Sequence, residues 1–204
     1  MIWVWIFILG GYLFGSILYA RVFSALFRCG DVAAASPDKN PGTANAFAYG
    51  GFFCGALTLF FDLAKGFAPV YLYQAVNPVP QYPIALAFVL AAPALGHAFP
   101  VFFHFHGGKA IAVSFGCLLG LYPRLSALLI LAGVFIFFSL ILRISPNYYR
   151  TFLSYLVSSV LFLFLIPNPA VVLGFIMITA IVILKLALSA EEREKCKVTL
   201  LWMH

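Results

Sequence analysis

The stretch His97-Ala98-Phe99-Pro100-Val101-Phe102-Phe103-His104-Phe105-His106-Gly107-Gly108-Lys109 sets histidines, two glycines and a lysine between two runs apolar enough to cross a bilayer. Polar groups facing water at the end of a lipid-spanning helix can bind an anion, which suggests an enzyme or carrier for a charged small molecule. Gly107 and Gly108 form a bend from which Lys109 can offer a point charge to a phosphate, and a helix N-terminus beyond it would favour the same anion. Lys109 also reads as a basic anchor touching lipid headgroups. Its neighbours His104 and His106, and a second polar loop on the same membrane face, favour a site.

That second loop is Pro37-Asp38-Lys39-Asn40-Pro41-Gly42-Thr43-Ala44-Asn45. Its small residues let the backbone turn tightly and approach a ligand, so successive N–H groups can surround a phosphate. Asn-Pro and Pro-Gly pairs also mark ordinary solvated turns, and that reading stays open. Asp62 and Lys65, three apart in an apolar run, share a helical face and neutralise each other, either as a structural ion pair or to orient the phosphate loop. His97 reads as a support residue hydrogen-bonded to a neighbouring helix. His104 and His106 are two apart and do not share a helical face; further ligands have no evident spacing, so no metal site is expected. Cys29, Cys54, Cys117 and Cys196 are isolated and read as free thiols or packing residues.

The elements that must position these groups follow from composition. With 64% hydrophobic residues, 9% charged and a mean hydropathy of +1.06, a 204-residue chain cannot hide its apolar surface in water. The expectation is an all-α, polytopic integral membrane bundle, with residues 1–190 as one transmembrane domain and 191–204 as a short cytoplasmic tail. The apolar start has no basic leading region and no cleavage pattern, so it reads as a retained first span. At about 20 residues per crossing of a core about 30 Å thick, the spans are 2–27, 54–73, 83–103, a short fourth over 110–121, 125–142, and two cut from 151–184 by Pro167-Asn168-Pro169. That is about seven helices, or six if the fourth is re-entrant. An outside N-terminus puts Arg21, Arg28, Lys39, Lys109, Arg143, Arg150, Lys185, Arg193, Lys195 and Lys197 on the inner side and leaves only Arg124 outside, as positive-inside bias requires. The loops over 28–51, 104–109 and 143–150 then converge at the cytoplasmic interface. The tail from Glu191 to Lys197 reads as a solvated helix end.

Gly15-Ser16, Asn40-Pro41-Gly42-Thr43-Ala44-Asn45, Asp62-Leu63-Ala64-Lys65-Gly66 and Gly96-His97-Ala98-Phe99-Pro100-Val101-Phe102, leading into Gly107-Gly108-Lys109-Ala110, keep one order and spacing over residues 11–116. In this the chain resembles the bacterial acyl-phosphate:glycerol-3-phosphate acyltransferases, the PlsY-type enzymes. The resemblance implies a seven-helix enzyme of the bacterial inner membrane, embedded among membrane lipids, that moves a fatty acyl group from acyl phosphate to the first hydroxyl of glycerol 3-phosphate to give lysophosphatidic acid. It implies catalytic roles for Lys109 and Asn45 and phosphate binding by Asn40, Gly42, Thr43, Gly107 and Gly108. Neither cofactor nor nucleic-acid partner is expected. Acyl phosphate is already activated, so positioning and charge stabilisation suffice, with the substrate's own phosphate assisting proton removal. No Ser/His/Asp arrangement is apparent, and no histidine has an aspartate five positions on.

The chain also departs from the pattern. Pro37-Asp38-Lys39 stands where the family commonly has Gly-Ser-Gly, Ala48 stands where it has an arginine, and the segment 185–197 lacks its basic His-Arg and Asn motif. Lys39, Arg150 and Ser154 are candidates to replace the missing phosphate contacts, on the strength of their shared membrane face. Two other classes stay in view: an inactive scaffold paralogue that has lost anion contacts, and a small anion transporter. Inverted repeats and midplane charges, which a transporter would display, are not evident.

Overall fold

The computed structural model describes residues 2–78, 81–189 and 194–201. The first apolar run is not one straight helix. It divides into α1 (Ile2–Gly15) and α2 (Tyr19–Leu26), bent by 41°. The bend exposes a backbone carbonyl at Ile17, and the Lys65 ammonium donates to it at 2.6 Å, satisfying a group that lipid could not. A one-turn α3 (Val32–Ala35) follows, capped by the Asp31 carboxylate, which accepts from Ala33 and Ala34 N–H.

The long helix α4 (Thr43–Val76) breaks once, at Gly51, whose φ of 82° is open to glycine without strain. Then come α5 (Ala85–Ala98), a 3-10 turn at Val101–Phe103, α6 (Ile111–Leu119), and α7 (Ser126–Ile136), which runs into a π-helical segment, Phe137–Ile141. The last two long helices are α8 (Asn147–Leu165) and α9 (Pro169–Ala187). Between them Pro167-Asn168-Pro169 acts as expected: the Asn168 side chain accepts from Ala170 and Val171 N–H, and Pro169 takes the first helical position, where its missing N–H costs nothing.

Among the described residues four helical segments are long and apolar enough to cross a membrane, α4, α5 continued through the turn to Phe103, α8 and α9, and the bent pair α1 and α2 makes a fifth candidate. The segment expected as the fourth span holds only the nine-residue α6, about 14 Å of helix, too short to cross alone. It is instead packed inside the bundle. A Cβ on Gly66 would fall 2.4 Å from the Val113 carbonyl oxygen, and one on Gly116 would fall 2.2 Å from that of Leu63, so α4 and α6 touch backbone to backbone. The core beside them is aromatic: Phe115, Phe135, Tyr155, Phe175 and Phe162 form a continuous ladder of ring contacts.

Among the described residues two short strands depart from the all-α expectation. Lys197–Leu200 forms a strand, β2, that pairs antiparallel with β1 (Leu142–Ser145), opposing Arg143 to Thr199 and Ile144 to Val198. Lys197 therefore starts a strand rather than ending a helix. Val198 and Thr199, β-branched, suit a pleated ribbon. Glu191, Glu192 and Arg193 lie outside the described residues.

Candidate active site

Two loops far apart in sequence meet at one end of the bundle. The first crosses from α3 to α4 over residues 37–42, and Gly42 caps α4 with its backbone extended. Lys39 adopts a left-handed conformation, φ 49°. Asn40 then reaches across to the second loop, where its side-chain oxygen accepts the Lys109 backbone N–H at 3.2 Å. Asn45, one turn into α4, braces its own loop: its Nδ2 donates to the Asp38 carboxylate at 2.7 Å and to the Asn40 carbonyl at 2.8 Å.

The second loop, residues 99–110, folds back on the end of α5. Gly108 N–H donates to the His97 carbonyl at 3.0 Å. This turn has no room for side chains: a Cβ on Gly107 would lie 1.9 Å from the His97 carbonyl oxygen, and one on Gly108 would lie 2.3 Å from His97 Nε2 and 3.0 Å from Asn40 Oδ1. The two glycines are thus required by close approach. Their packing places the Lys109 ammonium 2.9 Å from Asp38 Oδ2, with both side chains mostly buried. Burial pushes the Asp38 carboxyl up, but hydrogen bonds from Lys109 and Asn45, with the Lys109 charge, outweigh it and hold Asp38 below the usual carboxylate range.

Behind the loops sits a buried triad. Lys65 Nζ lies 2.8 Å from Asp62 and 2.9 Å from His97 Nδ1, besides its bond to Ile17. An ammonium has three donors and no acceptor, so His97 Nδ1 accepts and the ring is neutral, with its proton on Nε2. Thr43 donates to the other Asp62 oxygen at 3.3 Å, linking the triad to the start of α4. Asp62, Lys65 and His97 brace both loops, and Asp62 and His97 also line the second of the two cavities beside Lys109.

Two cavities flank Lys109. One, about 360 Å³, is rich in cations, walled by Asp38, Lys39, Asn40, His106 and Lys109 together with Arg21 from α2 and Lys185 from α9. The other, about 380 Å³, begins at Asn40, Gly42, Thr43, Asn147 and Thr151 and runs to Leu59, Ile111, Phe115 and Phe135. Lys109 and Asn40 stand on the partition, touching both. The first cavity offers cations to an anionic group, and the second ends against an apolar, aromatic wall suited to an aliphatic one.

Asn40, Gly42, Thr43, Lys39, Gly107, Gly108 and Lys109 line the cavities, whereas Asn45, expected as catalytic, lines neither and instead braces its own loop. Arg150, whose guanidinium bonds Asn147, and Ser154, buried without a hydrogen-bond partner among the described residues, are not in the walls of either cavity. Their neighbours on α8, Asn147 and Thr151, are. Arg21 and Lys185 were not singled out from sequence, since a basic residue near a helix end looks like any interfacial anchor. His104 and His106 are exposed, and His106 Nδ1 lies 2.7 Å from the His104 carbonyl. Among the described residues no three His, Cys, Asp or Glu side chains gather as a metal site.

The family model for glycerol-3-phosphate acyltransferase matches residues 5–192. The glycerol-3-phosphate acyltransferase of Pseudoalteromonas translucida is 42% identical over 119 residues, 58% of this chain and 57% of that protein. That of Shewanella woodyi is 38% identical over 138 residues, 68% of this chain and 65% of that protein. The chain spans less than two thirds of the length of either relative. Among solved structures, the fold is similar to PlsY, an integral membrane glycerol 3-phosphate acyltransferase, in its glycerol 3-phosphate form, with a TM-score of 0.75 and 26% identity over 89% of this chain and 87% of that one. The lysophosphatidic acid form of PlsY gives a TM-score of 0.73. With a match that runs from α1 to the end of α9 and a shared membrane fold, the chain belongs to the glycerol-3-phosphate acyltransferase family.

Proposed function

We propose that the protein transfers a fatty acyl group from acyl phosphate to the sn-1 hydroxyl of glycerol 3-phosphate, releasing lysophosphatidic acid and inorganic phosphate. The observation that carries this reading is the partition itself: Lys109, fixed through its backbone to Asn40, faces a basic cavity on one side and a partly apolar one on the other. Glycerol 3-phosphate enters from water on the basic side. The acyl phosphate lays its head at Thr43 and Lys109 and its chain along Phe115 and Phe135. The acceptor oxygen attacks the carbonyl carbon, the carbon–oxygen bond to phosphate breaks, and the hydroxyl proton passes to a substrate phosphate oxygen. Lys109 steadies the negative charge as it moves to the leaving phosphate, and the substrates need only be aligned, since the donor carries its own activation. Asn45 acts by keeping the loop in shape.

For topology we propose an outside N-terminus and seven crossings of the bacterial inner membrane, with α6 and its flanking turns, sheltered by α4, as the fourth. The two loops then lie at the cytoplasmic interface, where positive-inside bias gathers Arg21, Lys39, Lys109 and Lys185. One observation favours the inactive-scaffold reading: the Lys109 ammonium already has the Asp38 carboxylate as a partner. Turnover by purified protein in bilayer discs separates the two. Acyl phosphate and glycerol 3-phosphate are expected to yield equal amounts of lysophosphatidic acid and phosphate. Absence of turnover, or phosphate release without acylated product, contradicts the proposal.

A further inference from the structure

At the end of the bundle away from the two loops, three connections meet: residues 77–78 at the end of α4, 120–125 between α6 and α7, and 166–168 between α8 and α9. They enclose a crevice with two adjoining lobes. The larger, about 340 Å³, is lined by polar and aromatic groups, among them Asn77, Tyr122, Arg124 and Asn168. The smaller, about 200 Å³, is lined at depth by Leu86, Ala127, Ile166 and Val171. Gln74, Leu86, Leu121, Arg124 and Asn168 belong to both lobes, while Ala127, Ile166 and Val171 line the smaller one alone, so Arg124 stands where the more polar lobe passes into the more apolar one. The walls are set by packing, since Gln74 Nε2 donates to the Gly120 carbonyl at 2.8 Å and ties α4 to the turn that carries Arg124.

Arg124 is the sole charged residue in the three connections. It makes no ion pair among the described residues. A planar guanidinium matches a phosphate through paired N–H donors, and Asn168, whose side-chain oxygen is taken by the α9 amides, keeps its amide nitrogen as a further donor. A free phosphate would have no use for the apolar recess. A glycerophospholipid uses both lobes, with its headgroup phosphate at Arg124 and the first methylenes of a chain on Leu86, Ala127, Ile166 and Val171. Net-negative lipids are favoured, because a lone cation meets no competing ammonium in their headgroups.

We infer that this crevice is a binding site for one anionic glycerophospholipid of the leaflet opposite the candidate active site. The site is independent of the proposed acyl transfer. The test uses the full chain in phosphatidylcholine discs doped with phosphatidylglycerol, comparing wild type with Arg124→Gln, an exposed position whose change leaves the fold intact. Lipid retained on release from the discs is read by native mass spectrometry. Retention of phosphatidylglycerol is expected to fall about fivefold in Arg124→Gln, and inorganic phosphate is expected not to displace it from wild type. Equal retention by the two proteins overturns the inference. If inorganic phosphate displaces the lipid or stabilises the protein only when Arg124 is present, the site takes free anions and the lipid assignment is wrong.

Discussion

In the proposed reaction Asp38 and the glycerol 3-phosphate phosphate compete for one cation, and replacing Asp38 by Asn measures that competition. The Lys109 ammonium lies 2.9 Å from Asp38 Oδ2, with side-chain exposures of 9% and 17%. Unit charges about 4 Å apart attract by about 1 kcal/mol in water and about 4 kcal/mol at an effective dielectric near 20. Exposed pairs retain about 0.2–1 kcal/mol, so this mostly buried pair is placed at about 1–2 kcal/mol. Asn at position 38 keeps an acceptor for Asn45 Nδ2 and for the Asn40 N–H, which preserves the loop while removing the charge. Removing that ion pair is expected to tighten glycerol 3-phosphate binding about 5- to 30-fold. Calorimetric titration of both proteins in bilayer discs reads the difference directly. Unchanged or weaker binding by Asp38→Asn refutes the reasoning, for it means that the carboxylate aims the lysine rather than occupying it.

Four further outcomes follow from the geometry. In Gly108→Ala, a methyl group 2.3 Å from His97 Nε2 must displace the turn that holds Lys109; overpacking of about 1–3 kcal/mol lowers kcat/KM about tenfold or more, and wild-type kinetics would show the turn to be dispensable. Because the folded Asp38 pKa is depressed, the pair's stabilisation is complete above the unfolded value near pH 4 and is lost as pH falls through the lower folded one; the gap in thermal midpoint between wild type and Asp38→Asn should hold from pH 7 to about pH 4 and close below, whereas closure near pH 6 contradicts the assignment. Lys65→Met removes the counter-ion of buried Asp62 at a cost of about 3–5 kcal/mol, and adding Asp62→Asn should recover part of it in thermal unfolding; no recovery means that the loss came from the Ile17 contact instead. Phe135→Ala opens the end of the second cavity, so the preference for long over short acyl phosphates should rise about tenfold, and an unaltered chain-length profile would place the tail elsewhere.

Polar residues in an apolar chain are conspicuous, which is why Asn40, Asn45, Asp62, Lys65, His97 and Lys109 are legible in the sequence. Each needs a partner or water, and the loops that supply them are marked by glycine and proline. Partner choice was less readable. Asp38 looked like the loss of a hydroxyl, and only the fold reveals it as the group that holds Lys109 and Asn45. Lys185 joins the basic cavity because α9 returns to the same end, a fact of three-dimensional topology that local periodicity does not encode. The break at Ile17 was hidden for a similar reason: its carbonyl is satisfied by a lysine 48 residues away. The β1 and β2 ribbon joins two four-residue stretches through pairing alone, a signal too short to separate from a polar tail.

The central claim is that Lys109 supports phosphate-dependent acyl transfer. Lysophosphatidic acid formation from acyl phosphate and glycerol 3-phosphate, compared between wild type and Lys109→Ala in bilayer discs, tests it most directly. Loss of one charge-assisted contact that acts mainly in the transition state predicts a fall in turnover of about 100-fold or more, with the bundle still folded. Turnover by Lys109→Ala equal to that of wild type would contradict the account.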